Sequence, residues 1–292
     1  MPAYGRLPSC QFLEIQNHYF LIDCGEAAQI QLMKYDLYLH RIDHIFISHL
    51  HGDHYLGLMG LLFTLHLNRR ATDLHLYSHR GLDEIILTQL KHSRSALNFK
   101  IIFHTLTPDM REIIFEDKQL TVETIPLSHK INCSGFLFRE KEKPRRIDKT
   151  TLPEGLSPLQ LIALKNGDDV LDGEGNVLYK NNEFTLPPRR SRSYAYCSDT
   201  QFHEAIVQQI SQADVLYHEA TFMEEDKIKA VETMHSTAAQ AAIIAKMADV
   251  TKLIIGHFSA RYKDLHPVWN EAKEIFPNTY LAQEGETFTL PE

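Results

Sequence analysis

The feature that most constrains this chain is a run of metal-binding residue types, His49, His51, Asp53 and His54, which directly follows a segment predicted to be a strand over 44–48. Imidazole nitrogen and carboxylate oxygen are ligands that zinc prefers in proteins. A single buried histidine is usually a hydrogen-bonded core residue, but four such residues buried together without a cation would leave polar groups unpaired. Because the run is too short to surround one ion, further ligands must come from elsewhere in the chain. The run therefore predicts a metal site at the end of a strand.

Three further candidates, His129, Asp199 and His257, each lie directly after another apolar stretch with the composition of a strand. Polar loops that follow the strands of an α/β sheet meet at one edge, where such folds usually place their sites. None of the three residues indicates a metal site by itself. Together with the run, they supply enough ligands for two ions.

The alternation of strand and helix patterns indicates how these segments are arranged. The predicted strands cover 10–15, 19–23, 44–48, 74–77, 100–104, 112–115, 120–125, 135–138, 194–197, 215–218 and 253–256. The predicted helices cover a stretch up to about residue 39, then 56–67, 82–96, 202–210, 237–247 and 267–275. Two halves with the same pattern of strands and helices indicate two sheets packed face to face with helices outside.

We predict a single domain over 1–292, because α/β folds of this length often remain one unit. Residues 139–192 differ from the rest, since they are rich in proline and turn-forming residues and show little periodicity. A stretch of this length within a compact domain is usually functional or flexible, so we interpret it as an inserted arm. Its basic residues form either a solvated charged loop or a phosphate-binding surface. The basic clusters are Lys141, Lys143, Arg145 and Arg146, followed by Arg189, Arg190 and Arg192.

Composition excludes some classes of protein. The formal net charge of −8 argues against a protein that coats nucleic acid indiscriminately, although a local basic face remains compatible with it. No apolar run approaches the roughly 18 residues of a membrane helix, so we expect no membrane partner. Four scattered cysteines without C-x-x-C spacing indicate reduced thiols, and we expect a cytoplasmic protein.

The spacing of the candidate ligands resembles that of the metallo-β-lactamase superfamily, whose members hydrolyse lactams, thioesters, lactones, sulfate esters and phosphodiesters. Three further motifs are similar to those of the ribonuclease Z family, endonucleases that trim the 3′ end of precursor tRNA. They are His218-Glu219-Ala220-Thr221-Phe222, His235-Ser236-Thr237 and His257-Phe258-Ser259-Ala260-Arg261-Tyr262. The resemblance implies an α/β fold, an αββα four-layer sandwich, with a substrate-binding arm inserted where residues 139–192 lie.

The resemblance also implies roles for individual residues, and two Zn²⁺ ions per subunit. One zinc would be held by His49, His51 and His129, the other by Asp53, His54 and His257, with Asp199 between them. Asp53 would also accept a proton from the attacking water. The leaving 3′ oxygen of the tRNA needs a proton, for which His235 is the candidate acid, oriented by Glu219. Without the resemblance, His235 is a residue at a helix start and Glu219 a surface charge.

Contacts with the precursor tRNA follow from the resemblance only in outline. The candidates are Arg6, Thr237, Lys141, Lys143, Arg145 and Arg146. Thr237 with Gln240 also fits a capping box, which is a purely structural use of the same residue. The family works as a homodimer in which the arm of one subunit serves the site of the other.

The chain departs from the family at its start. Family members have a strand before the loop that residues 2–9 resemble, so we expect this first strand to be missing and its sheet to have lost an edge or a pairing partner. None of the proposed ligands lies there.

Two alternatives stay open at this point. The same metal site could serve a hydrolase of small phosphodiesters or sulfate esters, although such an enzyme does not need a long basic insertion. The chain could also be a metal-binding structural protein or an inactive partner subunit. The presence of every candidate ligand together with Glu219 and His235 argues against the latter.

Overall fold

The computed structural model describes residues 3–290 of the chain, so Pro2, at the start of the predicted N-terminal loop, lies outside the described residues. The first half of the chain forms a five-stranded sheet with helices on one face. Its strands are β1 (Gln11–Ile15), β2 (His18–Ile22), β3 (His44–Phe46), β4 (Leu74–Ser78) and β5 (Ile101–Thr105), in that spatial order. Its helices are α1 (Ala28–Lys34), α2 (Gly52–Tyr55), α3 (Leu58–Leu67) and α4 (Leu82–His92).

Strand β1 is an edge of this sheet and pairs antiparallel with β2, whereas β2 to β5 are parallel. Gln16 and Asn17 close the β1–β2 hairpin with φ values of 51° and 64°. A two-residue turn with positive φ at both positions matches the twist of the flanking strands. The parallel strands deliver their carboxyl ends to one edge, as the ligand spacing predicts.

The second half of the chain forms a seven-stranded sheet, interrupted in sequence by the arm. The sheet begins with β6 (Ile113–Glu116), β7 (Leu120–Leu127) and β8 (Cys133–Glu140). The arm then contains β9 (Arg146–Ile147), α5 (Pro158–Asn166), β10 (Val170–Leu171), β11 (Val177–Tyr179), α6 (Asn181–Phe184) and β12 (Thr185–Leu186). The sheet resumes with β13 (Ser193–Cys197), β14 (Val215–Glu219), β15 (Lys252–Gly256) and β16 (Thr279–Leu281), and the helices are α7 (Lys227–Thr233), α8 (Ala238–Met247) and α9 (His266–Ile275).

Three apolar clusters show that the sheets and helices form four layers. One cluster lies between the first sheet and helices α1, α3 and α4, and another between the second sheet and helices α8 and α9. The third lies between the two sheets, where Phe20, Phe46, Phe136 and Phe138 are fully buried. Side chains alternate between these clusters along strands such as β2 and β8, as the period of a strand requires. The predicted αββα sandwich is therefore confirmed.

Some predicted helices are wrong. The first ends at Lys34, and a separate 3₁₀ helix spans Leu39–Arg41. The helix predicted over 202–210 is a series of turns with a 3₁₀ helix at Glu204–Ile206. Ile206 and Ile210 are both buried. Their four-residue spacing, which is typical of a helix, arises here because consecutive tight turns bury both side chains.

The arm contains more regular structure than its composition suggests. Helix α5 begins with a capping box in which Ser157 and Gln160 exchange hydrogen bonds, and it ends at Gly167 with φ 97°. Strands β10 and β11 form one small hairpin, and β12 pairs with β9. Among the described residues, no helix is long and apolar enough to cross a membrane.

The two ends of the arm are fastened to the sandwich by Glu140, whose side chain is fully buried. Its carboxylate accepts hydrogen bonds from the backbone N–H of Arg192 at 2.8 Å and from the Arg192 guanidinium at 2.7 Å. Lys143 approaches the same carboxylate at 2.6 Å, and Gln16 donates to it at 2.7 Å from the first sheet. Burial alone would raise the pKa of Glu140, but these partners outweigh it and lower the pKa from 4.5 to about 2.

Replacing Glu140 by Gln is expected to lower the free energy of unfolding at pH 7 by roughly 1–3 kcal/mol, because Arg192 and Lys143 lose the buried carboxylate with which they pair. A carboxyl whose folded pKa is lowered stabilises the fold above its unfolded pKa, and this contribution is lost as pH falls from about 4.5 towards 2. Urea unfolding of both proteins should therefore show a difference at pH 7 that shrinks by pH 3. Glu116→Gln is the control, since Glu116 is 54% exposed and pairs with Lys141 at the surface. Equal effects of the two substitutions would contradict the fastening role of Glu140.

Candidate metal centre

The candidate ligands lie in the loops that follow strand ends. His49 and His51 precede α2, whereas Asp53 and His54 lie in its first turn. The backbone just after α2 lies very close to the backbone just after β2. A Cβ atom on Gly57 would lie only 1.9 Å from the carbonyl oxygen of Gly25. Only glycine permits that contact, so the loop that carries these candidate ligands lies directly against the end of β2.

A first group of ligand atoms comes from His49, His51, His129 and Asp199, with one atom from each lying within 4.8 Å of all the others. Nε2 of His49 is 3.0 Å from Nδ1 of His51, which is 3.2 Å from Nε2 of His129. Oδ2 of Asp199 lies 3.5 Å from His49 and 3.8 Å from His129. Three imidazole nitrogens and a carboxylate oxygen thus converge on one point.

A second group comes from Asp53, His54 and His257. The other carboxylate oxygen of Asp199, Oδ1, faces this group at 3.4 Å from His54 Nε2 and 3.2 Å from His257 Nε2. Oδ2 of Asp53 is 3.6 Å from His257 Nε2. Asp199 therefore lies between the two groups, with one oxygen towards each.

These residues fit a bound cation. Nε2 of His54 is buried and has no hydrogen-bond partner among the described residues, although it lies at the centre of the second group. Burial lowers the pKa of His49 to about 2, so its imidazole is neutral and can offer a lone pair. Burial alone would raise the pKa of Asp199, but the imidazoles of His257 and His54 hold it well below its usual range. Imidazole nitrogens around an ionised carboxylate are the donor set that zinc prefers.

Asp23 supports these ligands from behind and was not identified from the sequence as a site residue. It is fully buried, and its Oδ2 is 2.7 Å from Nδ1 of His54. The hydroxyl of Ser48 lies 3.0 Å from the same oxygen and 3.0 Å from Nδ1 of His49. Tyr196 donates to Asp23 at 2.5 Å from the opposite sheet. Asp23 thus orients His54 directly and His49 through the Ser48 hydroxyl, and its position just after β2 follows the rule that identified the candidate ligands.

Glu219 and His235 form a pair beside the two groups. Glu219 is fully buried, so its interpretation as a surface charge is wrong. Nδ1 of His235 donates to Glu219 Oε1 at 2.7 Å, because a carboxylate can only accept. One ring nitrogen of His235 lies within 4.8 Å of ligand atoms of Asp199 and His257. Burial alone would lower the pKa of His235, but the Glu219 carboxylate outweighs it and the pKa is raised.

The candidate substrate contacts already have partners within the chain. The guanidinium of Arg6 donates to the carbonyl oxygens of Ser259 and Tyr262 at 3.2 and 2.8 Å. Thr237 is buried, caps α8 by accepting from Gln240 N–H at 3.1 Å, and donates to Glu224 at 3.0 Å. Its use as a cap is confirmed, and its contact with RNA stays a prediction.

The basic residues at the start of the arm are also engaged. Lys141 pairs with Glu116 at 2.6 Å and Lys143 with Glu140 at 2.6 Å. Arg145 donates to the hydroxyl of Thr185 at 2.7 Å, and Arg146 donates to the carbonyl of Pro187 at 3.1 Å. These contacts orient the arm, so contact with RNA stays a prediction for all four.

A family model described as Anti-Pycsar protein Apyc1 matches residues 8–150. Ribonuclease Z of Cytophaga hutchinsonii is 50% identical over 291 residues, which are 100% of this chain and 93% of that protein.

Among solved structures, the short form of human tRNase Z superposes with a TM-score of 0.70 and 27% identity, covering 98% of this chain and 93% of that one. A metallo-β-lactamase fold protein from Bacillus subtilis superposes with a TM-score of 0.66 and 19% identity, covering 98% and 93%. The latter similarity concerns the fold. Given identity of this level over the whole length, the chain belongs to the ribonuclease Z family.

Proposed function

We propose that the protein is a zinc-dependent endoribonuclease that removes the 3′ trailer from precursor tRNA and leaves a 3′ hydroxyl on the tRNA. The observation that carries this proposal is the position of Asp199 between two ligand groups, with the His235 imidazole facing the same space. The ribonuclease Z relative that aligns with the full chain supports the class of substrate. In this proposal each subunit binds two zinc ions, one through His49, His51 and His129 and the other through Asp53, His54 and His257, with Asp199 between them.

Two divalent cations at such a site supply a nucleophile from water at neutral pH and offset the negative charge of a phosphodiester. The protein contributes a proton acceptor on the solvent side of the second group, Asp53, whose side chain is 33% exposed. The neighbouring His257 imidazole lowers the pKa of Asp53, so the carboxyl is ionised and can accept the proton of the attacking water.

The leaving 3′ oxygen takes its proton from His235. Glu219 fixes the ring by accepting from Nδ1, which leaves Nε2 as the nitrogen that carries the transferred proton. A buried carboxylate next to the ring favours its protonated form, which is the form a general acid needs. The pair therefore supplies the acid that zinc itself does not.

Several finer assignments belong to the same proposal. We regard 1–292 as one domain with the arm over 139–192, and we propose that two copies form a homodimer in which the arm of one serves the other. Arg6, Thr237 and the basic residues of the arm are proposed to hold the tRNA, directly or by shaping the surface. Four free cysteines support a cytoplasmic location, since disulfides are rare in that compartment.

Replacing His235 by Ala is expected to lower kcat on precursor tRNA by about 100-fold or more, with zinc content close to that of the original protein. A small aryl phosphodiester should be affected much less, because its phenolate leaves without protonation. His92→Ala, which removes an exposed histidine at the end of α4, is the control. Loss of zinc in the His235 variant would mean that His235 is a ligand and not the acid.

The substrate class is tested by incubating the zinc-loaded protein with a precursor tRNA and, separately, with a small aryl phosphodiester. We expect efficient cleavage of the precursor tRNA at the boundary between the tRNA and its trailer. Cleavage of the small ester alone would overturn the tRNA assignment and favour a hydrolase of small phosphodiesters. Such an enzyme would use the same ligands, so this comparison separates the two functions directly.

A further inference from the structure

We propose that Thr221 is a positioning residue that holds the metal ligand His257 and the Glu219–His235 pair in one arrangement through a single hydroxyl group. This inference rests on the proposed function for the roles of His257 and His235. Thr221 lies just after β14 ends at Glu219, and it is 7% exposed. No role for it follows from the sequence pattern, because its contacts come from segments far apart in the chain.

The hydroxyl of Thr221 has four polar neighbours. Its oxygen lies 2.5 Å from Glu219 Oε2, 3.0 Å from Nδ1 of His257, 3.0 Å from the carbonyl oxygen of His257 and 3.4 Å from Nδ1 of His235. A hydroxyl has one hydrogen to donate and lone pairs to accept with. The carboxylate is charged and is the nearest acceptor, so the hydrogen goes to Glu219. The hydroxyl oxygen is then free to accept from Nδ1–H of His257.

This hydrogen bond selects the form of His257 that can bind a metal. When Nδ1 carries the hydrogen, the lone pair is on Nε2, which faces Asp199 at 3.2 Å and Asp53 at 3.6 Å. Among the described residues, Thr221 provides the only hydrogen bond to Nδ1 of His257. The backbone of His257 has φ 58°, outside the regular strand region, so β15 does not set the direction of the ring.

The same hydroxyl restrains Glu219. Oε1 of this carboxylate accepts from His235 and from the backbone N–H of Thr200, each at 2.7 Å. Oε2 accepts from the Thr221 hydroxyl and, at a longer 3.3 Å, from the Thr221 N–H. Without the hydroxyl, a fully buried carboxylate oxygen keeps only the longer bond, and the Glu219 side chain can rotate away from His235. A single group therefore couples the acid pair to the metal ligand.

Thr221→Val removes the hydroxyl and keeps the shape, whereas Thr221→Ser keeps the hydroxyl. We expect the Val variant to bind the zinc ion of the second group, which His257 would hold, about 10–100-fold less tightly in a chelator competition, the loss typical when a residue that supports a metal ligand is replaced. On precursor tRNA, its kcat should fall about 10-fold or more with little change in KM, because the acid pair is misplaced. The Ser variant should stay within a few-fold of the original protein in both measurements.

Thr279→Val is the matched control, since Thr279 is 3% exposed and its hydroxyl donates to the carbonyl of Phe276, at the opposite end of the second sheet. It should change neither zinc affinity nor kcat. Unchanged zinc affinity and kcat in Thr221→Val would overturn the inference, as would a Ser variant impaired as much as the Val variant. If the original protein does not cleave precursor tRNA, the proposed function fails, while the chelator competition still decides whether Thr221 supports His257.

Discussion

Replacing Asp53 by Ala is expected to reduce cleavage of precursor tRNA by at least about a thousandfold. The change removes a ligand of the second group and, in the proposed mechanism, the acceptor for the proton of the attacking water. The loss should appear mainly in kcat, because the substrate contacts and the first group of ligands are left in place. Single-turnover cleavage with the protein in excess measures this loss without a contribution from product release.

Two variants separate the roles of Asp53. Asp53→Asn keeps the size of the side chain and one oxygen, so it should retain more zinc than the Ala variant while staying nearly inactive. Asp43→Ala is the control, because Asp43 lies just before β3, is 57% exposed and pairs with Arg70. Activity of Asp53→Ala within 10-fold of the original protein would contradict the assignment of Asp53 as ligand and acceptor.

Replacing Asp199 by Ala is expected to have an even larger effect on metal content. One oxygen of this carboxylate faces each ligand group, so its removal weakens both sites at once. We expect zinc content after gel filtration to fall from two ions per chain towards none, and cleavage to fall by about four orders of magnitude or more. Elemental analysis of the purified variant measures the first effect, and the tRNA cleavage assay measures the second.

The control for this change is another buried aspartate in the same sheet. Asp214, 4% exposed, accepts from the backbone N–H of Ser193 at 2.7 Å near the root of the arm. Asp214→Ala should lower the melting temperature while leaving two zinc ions bound. A variant of Asp199 that keeps both ions would show that the carboxylate does not bridge them.

The candidate ligands could be grouped from the sequence because each obeys a local rule. His129, Asp199 and His257 follow strands whose carboxyl ends meet at one edge, and that rule needs no knowledge of distances. Asp23 obeys the same rule after β2, but its type and position do not distinguish a ligand from a residue that supports one. Only its 2.7 Å contact with the far nitrogen of His54 makes that distinction.

Other features could not be predicted because they depend on packing between distant segments. The contacts of Thr221 join the ends of β14 and β15 and the segment before α8, and the motifs that contain these residues do not indicate which groups the Thr221 hydroxyl contacts. The same limit on prediction applies to the basic residues of the arm. As part of a basic cluster, Lys143 has the residue type of a surface contact, yet it pairs with the buried carboxylate of Glu140. A cluster of charged residues in the sequence does not reveal which group each residue pairs with in the folded protein.

In the proposed mechanism, this site hydrolyses one phosphodiester of precursor tRNA with Asp53 as proton acceptor and His235 as acid. To test this, the zinc-loaded protein is incubated with precursor tRNA, and mass spectrometry then identifies the chemical groups at the ends of the products. Attack by water on phosphorus with departure of the 3′ oxygen predicts a 3′ hydroxyl on the tRNA and a 5′ phosphate on the trailer. A 2′,3′-cyclic phosphate on the tRNA would contradict this mechanism, because it would mean that the adjacent 2′ hydroxyl, and not water, attacked the phosphorus.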